Sequence, residues 1–405
     1  MAKNKPLMHE VDVPQNPLSS VRALWDYALQ REEAIRALKA DVEEARAVTR
    51  RDYDKLTPTK RAEFDARRHR LALAPAVAGV PHLEAVNGLV ATALDRARFS
   101  GTTTQGGVMV EGEAGVGKST TITEIANRVL LKELGEAYGD AWRGEPPVRL
   151  RLRRRTVDGQ TIEGQFVPVL VVSLHGSVGP KIFLELALKA YDSIGVPVEP
   201  LMGTVRGADL ADKLSNLMAN CGTVLVVIDE VHFIRDTGNG TETINYLKDL
   251  INRTNAVFLM AGVRQDRTLQ FLDGRKVGAQ EQLSRRFTRQ EIGKLPDPVK
   301  SDDLRRVLQL MAWKTVLLDD PKAEWLTPQM VEYVFRRTGG VLQHVVALMH
   351  GAALLAIGRG ERLSMGVFEE VQISYAAEQK YKPSRTGKTP RKKPGRGGRS
   401  AGDVR

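Results

Sequence analysis

"GEAGVGKST" occupies Gly112–Thr120 and decides the reading of the whole chain. It satisfies the pattern G-x-x-x-x-G-K-[ST] through Gly112, Gly117, Lys118 and Ser119, with Gly115 as a further glycine. Gly112 and Gly117 let the backbone turn tightly and aim its N–H groups inward, at phosphate oxygens. Glu113, Ala114, Gly115 and Val116 complete this cradle. The helix that follows adds the partial positive charge of its N-terminus. Lys118 is placed to reach β- and γ-phosphates, the Ser119 hydroxyl to ligate Mg²⁺, and Thr120 to lie near an α-phosphate. The flanks supply the required context. "GGVMV" (106–110) reads as a short buried strand, and a helix runs from Lys118 to about Leu134.

Downstream, "TVLVVIDEVHF" (Thr223–Phe233) is a continuous apolar run ending in two acids. Such a run fits a parallel strand buried on both faces. Asp229 is placed to hold the magnesium shell, and Glu230 to act as general base on a water attacking the γ-phosphate. The bland alternative is a strand end meeting solvent. An acid beside the metal ligand points to ATP hydrolysis, and no guanine-reading N-K-x-D occurs. His232, just beyond, reads as a packing histidine.

Working outward, strand and helix alternate around these motifs and helices follow them. The expected fold is α/β: a P-loop core with a parallel sheet, a C-terminal helical lid and an N-terminal helical extension. Residues 1–17 read as disordered. Residues 18–80 form a helical arm, in which Thr57 and Pro58 open a helix carrying Arg61, Arg67, Arg68 and Arg70. That basic face is either a solvated surface or a phosphate-facing one. The α/β core spans 81–297, with strands at 168–174, 223–230 and 256–262 and a flexible loop at "DTGNGTE" (236–242). A basic hairpin is inserted at 147–167, where Arg149, Arg151, Arg153, Arg154 and Arg155 precede the turn signal Asp158-Gly159. These arginines either protect an edge or meet phosphate. The lid covers 298–379, with helices expected at 301–318, 327–338, 342–357 and 365–378.

The charge is unevenly spread. The net charge is +11, and residues 380–405 hold ten Lys/Arg, among them Lys392 and Lys393, against one acid. This tail reads as a disordered, basic segment suited to polyanions, mostly through non-sequence-specific backbone contacts with DNA. Cys221 is the sole cysteine, which excludes an intrachain disulfide and a cysteine-based zinc cluster. No apolar stretch reaches membrane-spanning length, and the N-terminus lacks a signal-peptide core, so a cytoplasmic protein is expected. "EQLSRRFTRQ" places Arg285 and Arg286 where an arginine finger could reach a neighbouring subunit's γ-phosphate; a surface pair beside Glu281 and Glu291 is the alternative.

Together these motifs resemble the AAA+ ATPases, and more narrowly the TniB/TnsC group of transposition ATPases, over about 56–355. The likeness rests on "GEAGVGKST", "VPVLVVSL", "VVIDEVHFI" with "TINYLKDLINRT", "AVFLMAG", "QLSRRF" and "TGGVLQHVVALM". It implies an ATPase that uses ATP and Mg²⁺, forms a homo-oligomeric ring or filament on DNA, and recruits a DDE-type transposase, often with a TniQ-type adaptor. Two features depart from the pattern. "LMAGVR" offers Ala261 and Gly262 where a polar sensor is usual, and "TGGVLQHV" offers Gln343 or His344 in place of an arginine. Both imply slow, partner-stimulated hydrolysis. The competing readings are a STAND-type signalling ATPase, a replication-related helicase or loader, and a small-molecule kinase.

Overall fold

The computed structural model describes residues 16–74, 81–99, 106–144, 149–155, 161–176, 178–198, 207–234, 238–263 and 286–380. The proposed tail with Lys392 and Lys393, Arg285, the Asp158-Gly159 turn and most of the N-terminal segment lie outside them.

Five parallel strands form the central sheet: β1 (Gly107–Gly112), β4 (Val169–Ser173), β5 (Leu225–Asp229), β6 (Val257–Val263) and β7 (Phe287–Glu291). Their order across the sheet is β4-β5-β6-β1-β7. Strands β4 and β5 are buried along their whole length, as their unbroken apolar runs require. Helices α6 (Pro180–Asp192), α7 (Gly207–Asn220) and α8 (Gly238–Arg253) cover one face, contributing Phe183, Leu214 and Leu250 to a core with Ile228 and Phe258. On the other face, α1 (Val21–Ala47), α4 (Pro81–Phe99) and α5 (Lys118–Tyr138) pack Trp25, Val86 and Ile125 against Val108 and Val227. Strand β7 is absent from the sequence reading. Only Phe287 of its five residues is buried, so its apolar signal is weak, and it is a strand because its backbone pairs with β1 from Gly107↔Phe287 to Glu111↔Glu291. Helix α8 likewise begins at Gly238, inside the segment expected to be a loop.

The arm crosses from this core to the lid. Ser20 caps α1 by accepting from the Ala23 N–H, and Leu24, Trp25 and Ala28 bury against the core. After α2 (Arg50–Asp54), Thr57 caps α3 (Pro58–Leu73) with Pro58 in its first turn, as expected. Two of the four arginines expected on the basic face of α3 are instead neutralised by acids. Arg67 pairs with Asp41 and Glu44, each at 2.7 Å. Arg68 is wholly buried and bidentate to Glu361 of the lid, with Nη1–Oε2 2.6 Å and Nη2–Oε1 2.9 Å. Asp65, three residues back, also pairs with it, but Glu361 lies 293 residues away in sequence, out of reach of any local pattern.

The lid comprises α9 (Asp303–Lys314), α10 (Pro328–Thr338), α11 (Leu342–Ala356), α12 (Met365–Glu370) and α13 (Tyr375–Lys380) around Leu308, Val334, Leu348 and Phe368. The helix expected over 365–378 is two. At the end of α12 the Phe368 carbonyl accepts from both the Val371 N–H and the buried Arg337 guanidinium, which also donates to the Val371 carbonyl and binds Glu378 of α13. A side chain thus takes the bonds that helix continuation would have used. Among the described residues no single helix is long and apolar enough to cross a membrane.

The basic hairpin forms as expected, with β2 (Arg151–Arg155) antiparallel to β3 (Thr161–Gln165). Its base is anchored by the Tyr138 hydroxyl, which donates to the Arg151 carbonyl at 2.8 Å, and by the close approach of Gly164 to the Asn220 carbonyl. Arg149 and Arg151 are exposed; the side chains of Arg153, Arg154 and Arg155 are outside the described set.

Candidate active site

The carboxyl ends of a parallel sheet leave a crevice where loops converge. Here β1 runs into Gly112–Gly117, β5 ends at Asp229, and β6 ends at Val263 between them. Gly112 is needed for space rather than for an unusual φ. A Cβ there would lie 2.2 Å from the Ile292 carbonyl, because the chain leaving β7 crosses the base of the loop. Gly117 does adopt a left-handed φ of 101° as it caps α5. Val116 is buried beneath the loop, while Glu113, Ala114, Ser119 and Thr120 are exposed above it.

Lys118 is 8% exposed, and its ammonium donates to the carbonyls of Gly112 (3.0 Å) and Glu113 (2.7 Å). Burial lowers its pKa below the usual lysine value, against the opposing pull of Glu230 and Asp229. Asp229 is 6% exposed, and burial and the Glu230 carboxylate raise its pKa. The Ser119 hydroxyl and the Glu230 backbone N–H donate to it and oppose that rise. Two hard oxygen donors therefore meet beside the glycine loop, one of them a carboxylate whose buried charge favours a cation. That donor set suits Mg²⁺, which takes few protein ligands and completes its shell with water and phosphate.

Glu230 adopts φ 59° and ψ 38°, a left-handed conformation that costs a non-glycine residue of order 1 kcal/mol or more. The turn this creates carries its side chain to the cavity wall instead of along the strand. His232 Nδ1 lies 3.0 Å from Glu230 Oε2, a close contact without an aligned hydrogen bond, and its ring stacks on Phe233. The sequence reading of His232 as a packing residue is therefore incomplete: it also touches the carboxylate it follows. Only its spacing, two residues beyond Glu230, hinted at this.

A cavity of about 490 Å³ joins Ala114, Gly115 and Gly117–Thr120 to Glu230, and then to the lid. Gln343 lies beside the loop, its N–H donating to the Gly115 carbonyl at 3.0 Å. His344 instead turns to Ser374 (2.9 Å) and the Thr338 carbonyl (3.3 Å). Of the two lid candidates, Gln343 alone lines the cavity. Val263 lines it at the end of β6, where the sequence offers no polar sensor.

Arg286 is not brought to this cluster. It precedes β7 at the opposite end of the sheet, where its carbonyl accepts from the Gly107 N–H and its guanidinium contacts Asn252. Five residue steps along extended β1 separate Gly107 from Gly112, roughly 17 Å.

Residues 101–269 match the family model described as an AAA domain. The protein has the P-loop AAA+ fold. Solved structures similar to this chain include the Aeropyrum pernix ORC1 protein in complex with DNA, 17% identical over 77% of this chain and 68% of that one, TM-score 0.46. The Aeropyrum pernix ORC2 protein in ADPNP-ADP complexes is 14% identical over 74% and 68%, TM-score 0.47. Domain III of the Thermotoga maritima replication initiation protein DnaA is 14% identical over 74% and 94%, TM-score 0.39. No curated protein matches the chain.

Proposed function

We propose that this protein binds and hydrolyses ATP with Mg²⁺, assembles copy on copy along DNA while ATP is bound, and there recruits and regulates a DDE-type transposase, with a TniQ-type adaptor as a further partner. One observation carries the assembly reading: the loop and acids sit at one end of the parallel sheet and Arg286 at the other, roughly 17 Å apart. An arginine so placed cannot serve its own site, but it can serve that of a copy stacked against it.

In this reading the loop N–H groups and Lys118 bind the phosphates. Lys118 exchanges its contacts with the Gly112 and Glu113 carbonyls for the β- and γ-oxygens. Ser119 and Asp229 would hold a magnesium ion, which would neutralise charge on the phosphates. Glu230, aimed by its left-handed turn and steadied by His232, orients a water and takes its proton. Arg286 of a neighbouring copy, with Arg285 beside it in sequence, stabilises the transferring γ-phosphoryl group. Gln343 offers the lid a hydrogen bond but no charge, which favours slow turnover until a partner completes the site. Exposed Arg149 and Arg151, with Arg153, Arg154 and Arg155 on the same ribbon and Lys392 and Lys393 in the tail, contact DNA phosphates. The transposase and adaptor rest on the motif resemblance.

The test is DNA binding with and without a non-hydrolysable ATP analogue, by filter binding and negative-stain imaging. Nucleotide-dependent assemblies are expected, lost in Lys118→Ala and trapped in Glu230→Gln. DNA binding indifferent to nucleotide would sink the assembly reading. ATP turnover unaffected by an added transposase would leave a replication-related loader as the better description.

A further inference from the structure

The half of the cavity distant from the glycine loop has polar groups that phosphate binding does not use. Helix α11 begins beside the loop, where Gln343 meets Gly115, and runs away from it. His350, seven residues along, lines the cavity roughly 10 Å further out. Beside it is Lys314, the last residue of α9. The walls between are apolar: Val307, Leu310, Met311 and Val346. An apolar slot closed by two convergent polar side chains is built for a flat heterocycle with polar edges.

Their hydrogen-bond inventory can be worked out. Lys314 is 1% exposed, and among the described residues no carboxylate pairs with it. Burial lowers its pKa to about 8, so at pH 7 it remains mostly an ammonium with three donors and no acceptor. One donor goes to the carbonyl of Ala74, the residue that ends the arm's α3, and a second faces His350 Nε2 at 3.4 Å. Because an ammonium can only donate, Nε2 must accept, which puts the imidazole proton on Nδ1. Burial and Lys314 hold the His350 pKa at about 4, so the ring is neutral. One ammonium N–H remains for the cavity. This end of the slot therefore offers donors and demands acceptors.

We propose that Lys314, oriented by His350 and the Ala74 carbonyl, is the nucleobase-recognising residue of this cavity and donates to a ring nitrogen of adenine. This rests on the nucleotide reading above and adds to it a base-specificity determinant. The ring nitrogens N1, N3 and N7 are the acceptors adenine offers without a competing proton. Loss of the contacted one leaves a buried cation facing a C–H.

The experiment compares ATP with its 1-deaza, 3-deaza and 7-deaza analogues, by equilibrium binding to the full chain and to Lys314→Met. The native protein should bind one of the three analogues about tenfold or more weakly than ATP, as expected for a lost hydrogen bond to a charged group. In Lys314→Met that penalty should vanish, because donor and acceptor are the same pair. His350→Phe should shrink the penalty without removing it. If all three analogues bind the native protein as ATP does, or the penalty survives in Lys314→Met, the assignment fails. The analogue series on the native chain needs no variant to fold. Lys118→Ala separates the two readings: if native protein binds no ATP, or Lys118→Ala binds it equally well, the nucleotide reading itself fails.

Discussion

Two buried cations join the arm to the lid, and they do so in opposite ways. Arg68 reaches from the arm to Glu361, and Lys314 reaches from the lid to Ala74. Burial alone would lower the Arg68 pKa, but Glu361 and Asp65 outweigh it and hold the guanidinium above its usual value. Glu361 is in turn satisfied by the backbone N–H groups of Gly358 (2.7 Å) and Leu318 (3.1 Å). Lys314 has no such carboxylate, and burial dominates. Burial is the same in both cases; the partner decides whether a cation supports the fold or strains it.

The comparison is broken most forcefully at Arg68. Arg68→Met leaves Glu361 and Asp65 facing apolar surface and should destabilise the protein by about 3–5 kcal/mol, read as a fall in the denaturant midpoint at unchanged slope. Restoring native stability by adding Glu361→Gln alone would contradict this account, since Asp65 and the freed N–H groups remain.

Lys314→Met should act in the other direction, raising stability at pH 7 by about 1–2 kcal/mol. The pH dependence gives the sign a separate check. The folded-state pKa of Lys314, about 8, lies below its ordinary 10.5. The folded state thus favours the neutral amine. That contribution is full above pH ~10.5 and is lost as pH falls toward 8. His350, with a folded-state pKa of about 4 against 6.5, adds stability above pH ~6.5 that is lost as pH falls toward 4. Thermal unfolding across pH should show both declines in the native chain. The upper one should be missing in Lys314→Met and the lower one reduced.

The smallest effect on stability is expected at the hairpin. Replacing exposed Arg149 and Arg151 with glutamate should change the unfolding free energy by less than about 0.5 kcal/mol. It should nevertheless weaken DNA binding and flatten its salt dependence. An unchanged salt slope would move the DNA contact elsewhere.

The contrast between α3 and the hairpin also marks what the sequence could convey. Both read as basic segments with either a solvated or a phosphate-facing role. Arg68 proved structural because its acid arrives from a distant part of the chain. The glycine loop and the acids of β5 were legible because their chemistry is local: a fixed spacing in one case, an apolar run with two acids in the other. Strand β7 was not, since an edge strand with one buried residue is specified by its neighbour's backbone. The choice of Gln343 over His344, the Glu230–His232 contact and the Lys314–His350 pair depend on a turn and on how the lid packs over the loop, which leave no periodic trace.

The polarity of the sheet has a consequence for counting. Loop and arginine sit at opposite ends of the sheet, so if Arg286 completes a neighbouring copy's site as proposed, any open head-to-tail stack has one more subunit than it has complete sites. The subunit at one end keeps a loop with no arginine opposite it, and the subunit at the other end an arginine with no loop to meet. Only ring closure removes the mismatch. In an open polymer, turnover per subunit would therefore rise with length toward a plateau, and the deficit at short lengths would report the number of ends.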